Sequence, residues 1–104
     1  MDVTLTPAVF HILLALADQE RHGYAIQQTI TQDTGGRLNL GPGTLYGTLK
    51  RLLTEGLVEE AGETDRRRYY RVTDSGRAAM ATEAERLARL VQVAQARKVL
   101  KAST

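Results

Sequence analysis

Hydrophobic positions along the chain follow a helical spacing three times, then an alternation, then a helical spacing again. Val9, Phe10, Leu13, Leu14, Leu16 and Ala17 give the first stretch a wide apolar face, which predicts a largely buried helix. Thr6-Pro7 starts it, as a hydroxyl N-cap followed by proline at the first helical position. After the polar break Asp18-Gln19-Glu20-Arg21, a second helix is predicted from about His22 to Thr34, with Tyr24, Ala25, Ile26 and Ile30 inward. Gly35-Gly36 stops it. Leu38-Asn39-Leu40 reads as a short extended segment.

The third helical stretch, GPGTLYGTLKRLLTEGLVEE from Gly41 to Glu60, organises the chain. Leu45, Leu49, Leu52 and Leu53 gather on one side of a helical wheel. Thr44, Gly47, Lys50, Arg51 and Thr54 occupy the opposite arc, which carries no carboxylate. Two cations, two hydroxyls and a residue without a side chain suit close approach to a polyanion. Gly47 costs about 1 kcal/mol against alanine inside a helix, and a close neighbour on that face is one reason to carry it.

A strand starts at Leu57, and Arg68 to Val72 forms a second, with Tyr70 and Val72 on one face and Tyr69 and Arg71 on the other. The turn between them, Thr64-Asp65-Arg66-Arg67, has a basic tip, so a hairpin is predicted. Thr73 then caps a last helix of about 25 residues. Its residues Met80, Ala84, Leu87, Val91 and Ala94, with Leu90 alongside, recur at steps of four and three. That is a narrow seam of the kind that pairs helices, most simply with a second copy of the chain.

The predicted fold is mainly α with a small β-hairpin. Residues 1–73 form a winged helix-turn-helix DNA-binding domain, and residues 74–104 a C-terminal dimerisation helix. The third helix would enter the major groove of double-stranded DNA, where base edges are distinguishable. The hairpin would reach phosphates or the minor groove. Expected DNA-binding residues are Thr44, Tyr46, Gly47, Lys50, Arg51, Arg66, Arg67 and Arg68. Tyr46, on the flank of the third helix, either offers its hydroxyl to a phosphate or packs on the second helix. A homodimer would span a pseudo-palindromic operator through an interface of Met80, Ala84, Leu87, Leu90, Val91 and Ala94.

Charge changes the picture through its distribution. The net charge of the 104 residues is only +2, yet residues 1–40 hold two arginines against four acids, and residues 41–104 hold 12 Lys/Arg against eight acids. The basic part begins at the third helix. An acidic protein partner for this face stays open as the alternative reading.

Other chemistry is sparse. There is no cysteine, hence no disulfide or thiolate site. His11 and His22 lie without matching carboxylate spacing, so no metal or other cofactor is expected. Gly41 and Gly43 flank Pro42, but no Gly-Lys-Ser/Thr follows to make a nucleotide loop. No nucleophile–base pair recurs, so no enzyme is expected. The start MDVTLTPAVF has no signal-peptide pattern and no apolar run approaches a membrane span, which points to a soluble cytoplasmic protein.

The segments LTPAVFHILLAL, HGYAI, GPGTLYGTLKRLLTEGLVEE and RRRYYRVTDSGR, followed by one C-terminal helix, together resemble the PadR family of transcriptional regulators over nearly the whole chain. Gly47 stands where many members have proline, and the chain has no tryptophan. The resemblance implies a dimeric winged-helix repressor released from its operator by a small effector. The single C-terminal helix is similar to the smaller subfamily, some of whose members bind aromatic, drug-like effectors at the dimer interface. In this chain the walls of such a site would come from Met80, Ala84, Leu87 and Val91, adjoined by Val9 and Leu13.

Overall fold

Three side chains set the starts of three helices. Thr6 Oγ1 accepts from the Val9 amide at 3.2 Å, His22 Nδ1 from the Ala25 amide at 3.2 Å, and Thr73 Oγ1 from the Gly76 amide at 3.1 Å. Each satisfies an amide that the first helical turn leaves without a partner. In the computed structural model, which describes residues 5–101, the elements are α1 (Pro7–Ala15), β1 (Arg21–His22), α2 (Gly23–Asp33), α3 (Pro42–Thr54), β2 (Val58–Thr64), β3 (Arg67–Val72) and α4 (Asp74–Ala96).

The predicted inward stripes meet in one core. Ile12, Leu13 and Leu16 pack with Ile26 and Ile30 of α2, Leu49 and Leu52 of α3 and Val58 of β2, all fully buried. Leu45 is buried with them, Leu53 is half-buried, and Tyr70 and Val72 close the sheet side. α3 therefore lies on the core by one stripe and turns Thr44, Gly47, Lys50, Arg51 and Thr54 to solvent.

The hairpin is part of a three-stranded antiparallel sheet of order β1-β3-β2. β1 falls in the polar break and pairs Arg21 with Tyr70 and His22 with Tyr69. Two residues are too few to show a period, so this strand exists only through its distant partner. Leu38-Asn39-Leu40 forms no strand. The Leu40 amide donates instead to Gln27 Oε1 at 3.2 Å, which satisfies the backbone without a ladder.

The wing carries two irregularities. The register runs Glu60↔Tyr70 then Gly62↔Tyr69, so Ala61 is an extra residue in β2. Such a bulge bends and twists the strand, and Gly62 takes φ 124° beside it. Thr64 pairs with Arg67, leaving Asp65 and Arg66 as a two-residue loop with φ 52° and 64°. Positive φ at both loop residues matches the strand twist and normally selects Asn-Gly or Asp-Gly. Arg66 holds that backbone without being glycine. Arg66→Gly is expected to raise unfolding stability by about 1 kcal/mol, read as a higher urea midpoint at unchanged slope.

α4 begins inside the domain and leaves it. Gly76, Met80 and Glu83 are buried, and every residue from Ala84 to Gln92 is exposed. Met80, expected at the dimer seam, is 7% exposed and belongs to the core of its own chain. Val9 and Leu13, expected to adjoin an effector cleft, are core residues as well, so α1 does not offer them to such a cleft. At the far end Lys98 takes φ 62° and the Val99 amide returns to the Ala94 carbonyl at 2.9 Å, which ends the helix. The long axis of the molecule is 49 Å.

Candidate nucleic-acid interface

α3 and the wing put the predicted basic residues on the surface. Thr44, Tyr46, Gly47, Lys50 and Arg51 are exposed on α3, and Arg66, Arg67 and Arg68 on the wing. Gly47 has no atom within 4 Å of where a Cβ would stand, so nothing in the fold of this chain requires glycine there. Arg51 Nε lies 3.2 Å from Glu55 Oε1, an exposed i,i+4 pair of small net worth that an approaching anion can replace. Arg68 pairs with Glu60 at 3.3 Å. Among the described residues, Lys50, Arg66 and Arg67 have no carboxylate within 4.0 Å.

Tyr46 has a second role. A Cβ on Gly23 would stand 2.5 Å from the Tyr46 hydroxyl, so the ring lies directly over the first residue of α2. The ring packs on α2 while half of the residue remains exposed. This contact makes one wall of a cleft of about 360 Å³, and Arg66, Arg67 and Arg68 of the wing line the other. The structure thus brings Tyr46 together with the wing arginines. Thr44, Gly47, Lys50 and Arg51 lie outside that cleft, on the outer arc.

His22, Gly23 and Tyr24 also line the cleft, and sequence reasoning gave them no site role. Their position follows from β1: pairing His22 with Tyr69 carries the start of α2 to the base of the wing. Burial first, and the Arg67 charge second, hold the His22 imidazole below its ordinary pKa. Tyr70 reaches the cleft from the core side, and burial pushes its phenol up. Arg71, on the opposite face of β3, is held by Glu59 at 2.7 Å and Glu20 at 3.3 Å, so that cation braces the sheet.

The family model described as "Transcriptional regulator PadR-like family" matches residues 12–82, which covers α2, α3, the whole wing and the start of α4. The chain belongs to the PadR-like family. This is a family of transcriptional regulators and not of enzymes. The PadR-like chain is 43% identical over 85 residues to a transcriptional regulator of Mycobacterium tuberculosis, covering 79% of this chain and 77% of that protein. It is 47% identical over 79 residues to an uncharacterised 37.1 kDa protein of a Streptomyces fradiae transposon, matching 76% of this chain but only 22% of that longer protein. In fold it resembles Bacillus subtilis PadR, solved in complex with operator DNA, with a TM-score of 0.66 and 24% identity over 77% of this chain and 47% of that one. Among the described residues no helix is long and apolar enough to cross a membrane.

Proposed function

We propose that this chain is a dimeric cytoplasmic repressor that reads a pseudo-palindromic operator with α3, holds it with the wing, and lets go when a small aromatic effector binds between the α4 helices. The observation that carries the DNA reading is the outer arc of α3. Its cations serve no packing or core role, and Lys50 has no carboxylate partner among the described residues. The wing adds support: Arg66 sits in a backbone conformation that costs stability, and strain of this kind collects at functional sites. The operator complex of the B. subtilis relative agrees with this reading. For the effector, the support is the exposed run of Ala84, Leu87, Leu90 and Val91, small and large apolar side chains on one projecting helix. A dimer structure with the α4 helices in dry contact and no room for an aromatic ring would remove the effector from this proposal.

Two variants separate reading from holding. An arginine bidentate to guanine contributes about 1–3 kcal/mol of discrimination, whereas an arginine on a phosphate contributes affinity alone. Arg51→Ala is expected to weaken the operator far more than random DNA and to relax choice at one position in each half-site. Arg66→Ala is expected to weaken both alike and to flatten the salt slope by roughly 2 units per dimer. Titrations on operator and scrambled duplexes over a salt series measure both. Equal loss on both duplexes for Arg51→Ala would show that this side chain does not read bases. A salt dependence far from log-linear would favour an acidic protein as the partner.

A further inference from the structure

His22 is faced by two N–H donors and has one lone pair to give them. The Ala25 amide points at Nδ1 at 3.2 Å, and Arg67 Nη1 lies 3.0 Å from Nε2. A neutral imidazole carries its proton on one ring nitrogen and accepts at the other. In either tautomer, therefore, one of these contacts sets donor against donor. In the imidazolium both do. Nδ1 caps α2, and giving that up would strand an amide of the first turn. The cap thus fixes the proton on Nε2, where it confronts the guanidinium of Arg67.

An oxygen acceptor placed beside both groups removes the conflict, because it takes Nε2–H and an Arg67 N–H together. The cleft next to them has room for one and the charge to attract an anion. Arg66 and Arg67 have no carboxylate partner among the described residues, and Glu63 is the one acid on its lining. The start of α2, with Tyr46 of α3 laid on it, forms one side of this cleft and the wing the other. On the DNA-binding reading proposed above, on which this inference rests, a backbone strand separates the groove entered by α3 from the groove flanked by the wing. In that arrangement the strand would pass over the cleft, between Tyr46 and the wing arginines.

We propose that the cleft seats one backbone phosphate of the bound DNA in each half-site, held jointly by His22 Nε2–H and Arg67, with the Tyr46 hydroxyl over Gly23 as a third donor. His22 is then a phosphate-contacting residue. The groups facing His22 are Arg67 and Tyr69 of β3, the latter edge-on at 5.3 Å, and Tyr24 of α2, stacked at 6.5 Å. Glu63, Arg66, Arg68, Tyr46 and Tyr70 share its cleft. In the free protein burial and Arg67 hold the imidazole neutral to lower pH than usual. The donor is the neutral Nε2–H tautomer, so Nδ1 stays an acceptor and the α2 cap survives binding.

The test uses the full chain and a duplex drawn from genomic fragments that it retains, with single phosphates replaced in turn by neutral methylphosphonate. One position per half-site is expected to cost the wild type roughly tenfold and to cost His22→Asn nothing further. Asparagine keeps the helix cap and loses the reach. Tyr46→Phe, which keeps the ring on Gly23, is expected to blunt the same methylphosphonate position and carries the scan if His22→Asn melts early. Inorganic phosphate at constant ionic strength is expected to compete only weakly. Full relief of the His22 conflict by that ion, with no sensitive position on the duplex, would assign the cleft to a free anion and overturn the proposal. Losses for His22→Asn that simply add to the cost of every methylphosphonate would overturn it too. If the chain binds no duplex at all, the DNA-binding reading itself fails.

Discussion

Gly76→Ala is expected to destabilise the fold by about 3 kcal/mol or more. Gly76 is buried in the first turn of α4. A Cβ there would strike the Leu57 carbonyl oxygen and stand 2.7 Å from Val72 Cγ2. The flexible end of a side chain can yield to such an intrusion. The Leu57 carbonyl cannot, because it accepts from the Thr73 amide at 3.1 Å where β2 begins. Thr73 in turn donates its hydroxyl to the Gly56 carbonyl at 2.6 Å and caps α4 with the same oxygen. Opening that junction means moving the wing, α3 and α4 apart together. Alanine favours helix by about 1 kcal/mol over glycine, too little to offset the clash. Urea unfolding followed by circular dichroism should show the midpoint fall sharply. An unchanged or raised midpoint would mean that α4 can shift away from β2 at little cost. Gly47→Ala is the contrasting control, since open space surrounds that position.

These two glycines show what the sequence disclosed and what it hid. Periodicity placed α1, α2, α3 and α4 to within a residue or two, because each carries a stripe that has only the core to meet. It also found the faces of β3, where Tyr70 and Val72 point inward. The reason for Gly76 was invisible, since the clash is with a backbone 19 positions earlier in the chain. The cleft was hidden for the same reason. Tyr46 meets Gly23, and His22 meets Arg67, only because β1 pairs with β3. A two-residue strand has no pattern of its own. A stripe at steps of four and three does not say where a helix leaves its own domain: Met80, on the stripe that the sequence shows, packs in the core of its own chain.

Leu87→Asp is expected to abolish the proposed dimer, and with it tight operator binding. Beyond Glu83 the helix runs free of its own domain, with Leu87 37%, Leu90 50% and Val91 44% exposed. Burying such side chains contributes about 1.5–3 kcal/mol each, and a two-fold axis doubles every term. Glu83, the last buried residue, is held by Arg86 at 2.9 and 2.7 Å, and this partner keeps its carboxyl below the usual range. That pair marks the edge between the part of α4 its own domain covers and the part that a second copy would cover. An aspartate at 87, one turn further on, would face its own copy across the axis, so two like charges would be buried together at a cost of several kcal/mol. The monomer loses little, because Leu87 already faces solvent there. Light scattering at micromolar concentration should give the mass of one chain, while the melting temperature of the isolated domain stays near that of the wild-type monomer. Operator affinity should fall steeply, since one half-site then binds without the other. A variant that remains dimeric with unchanged operator affinity would place the interface on another face of the molecule.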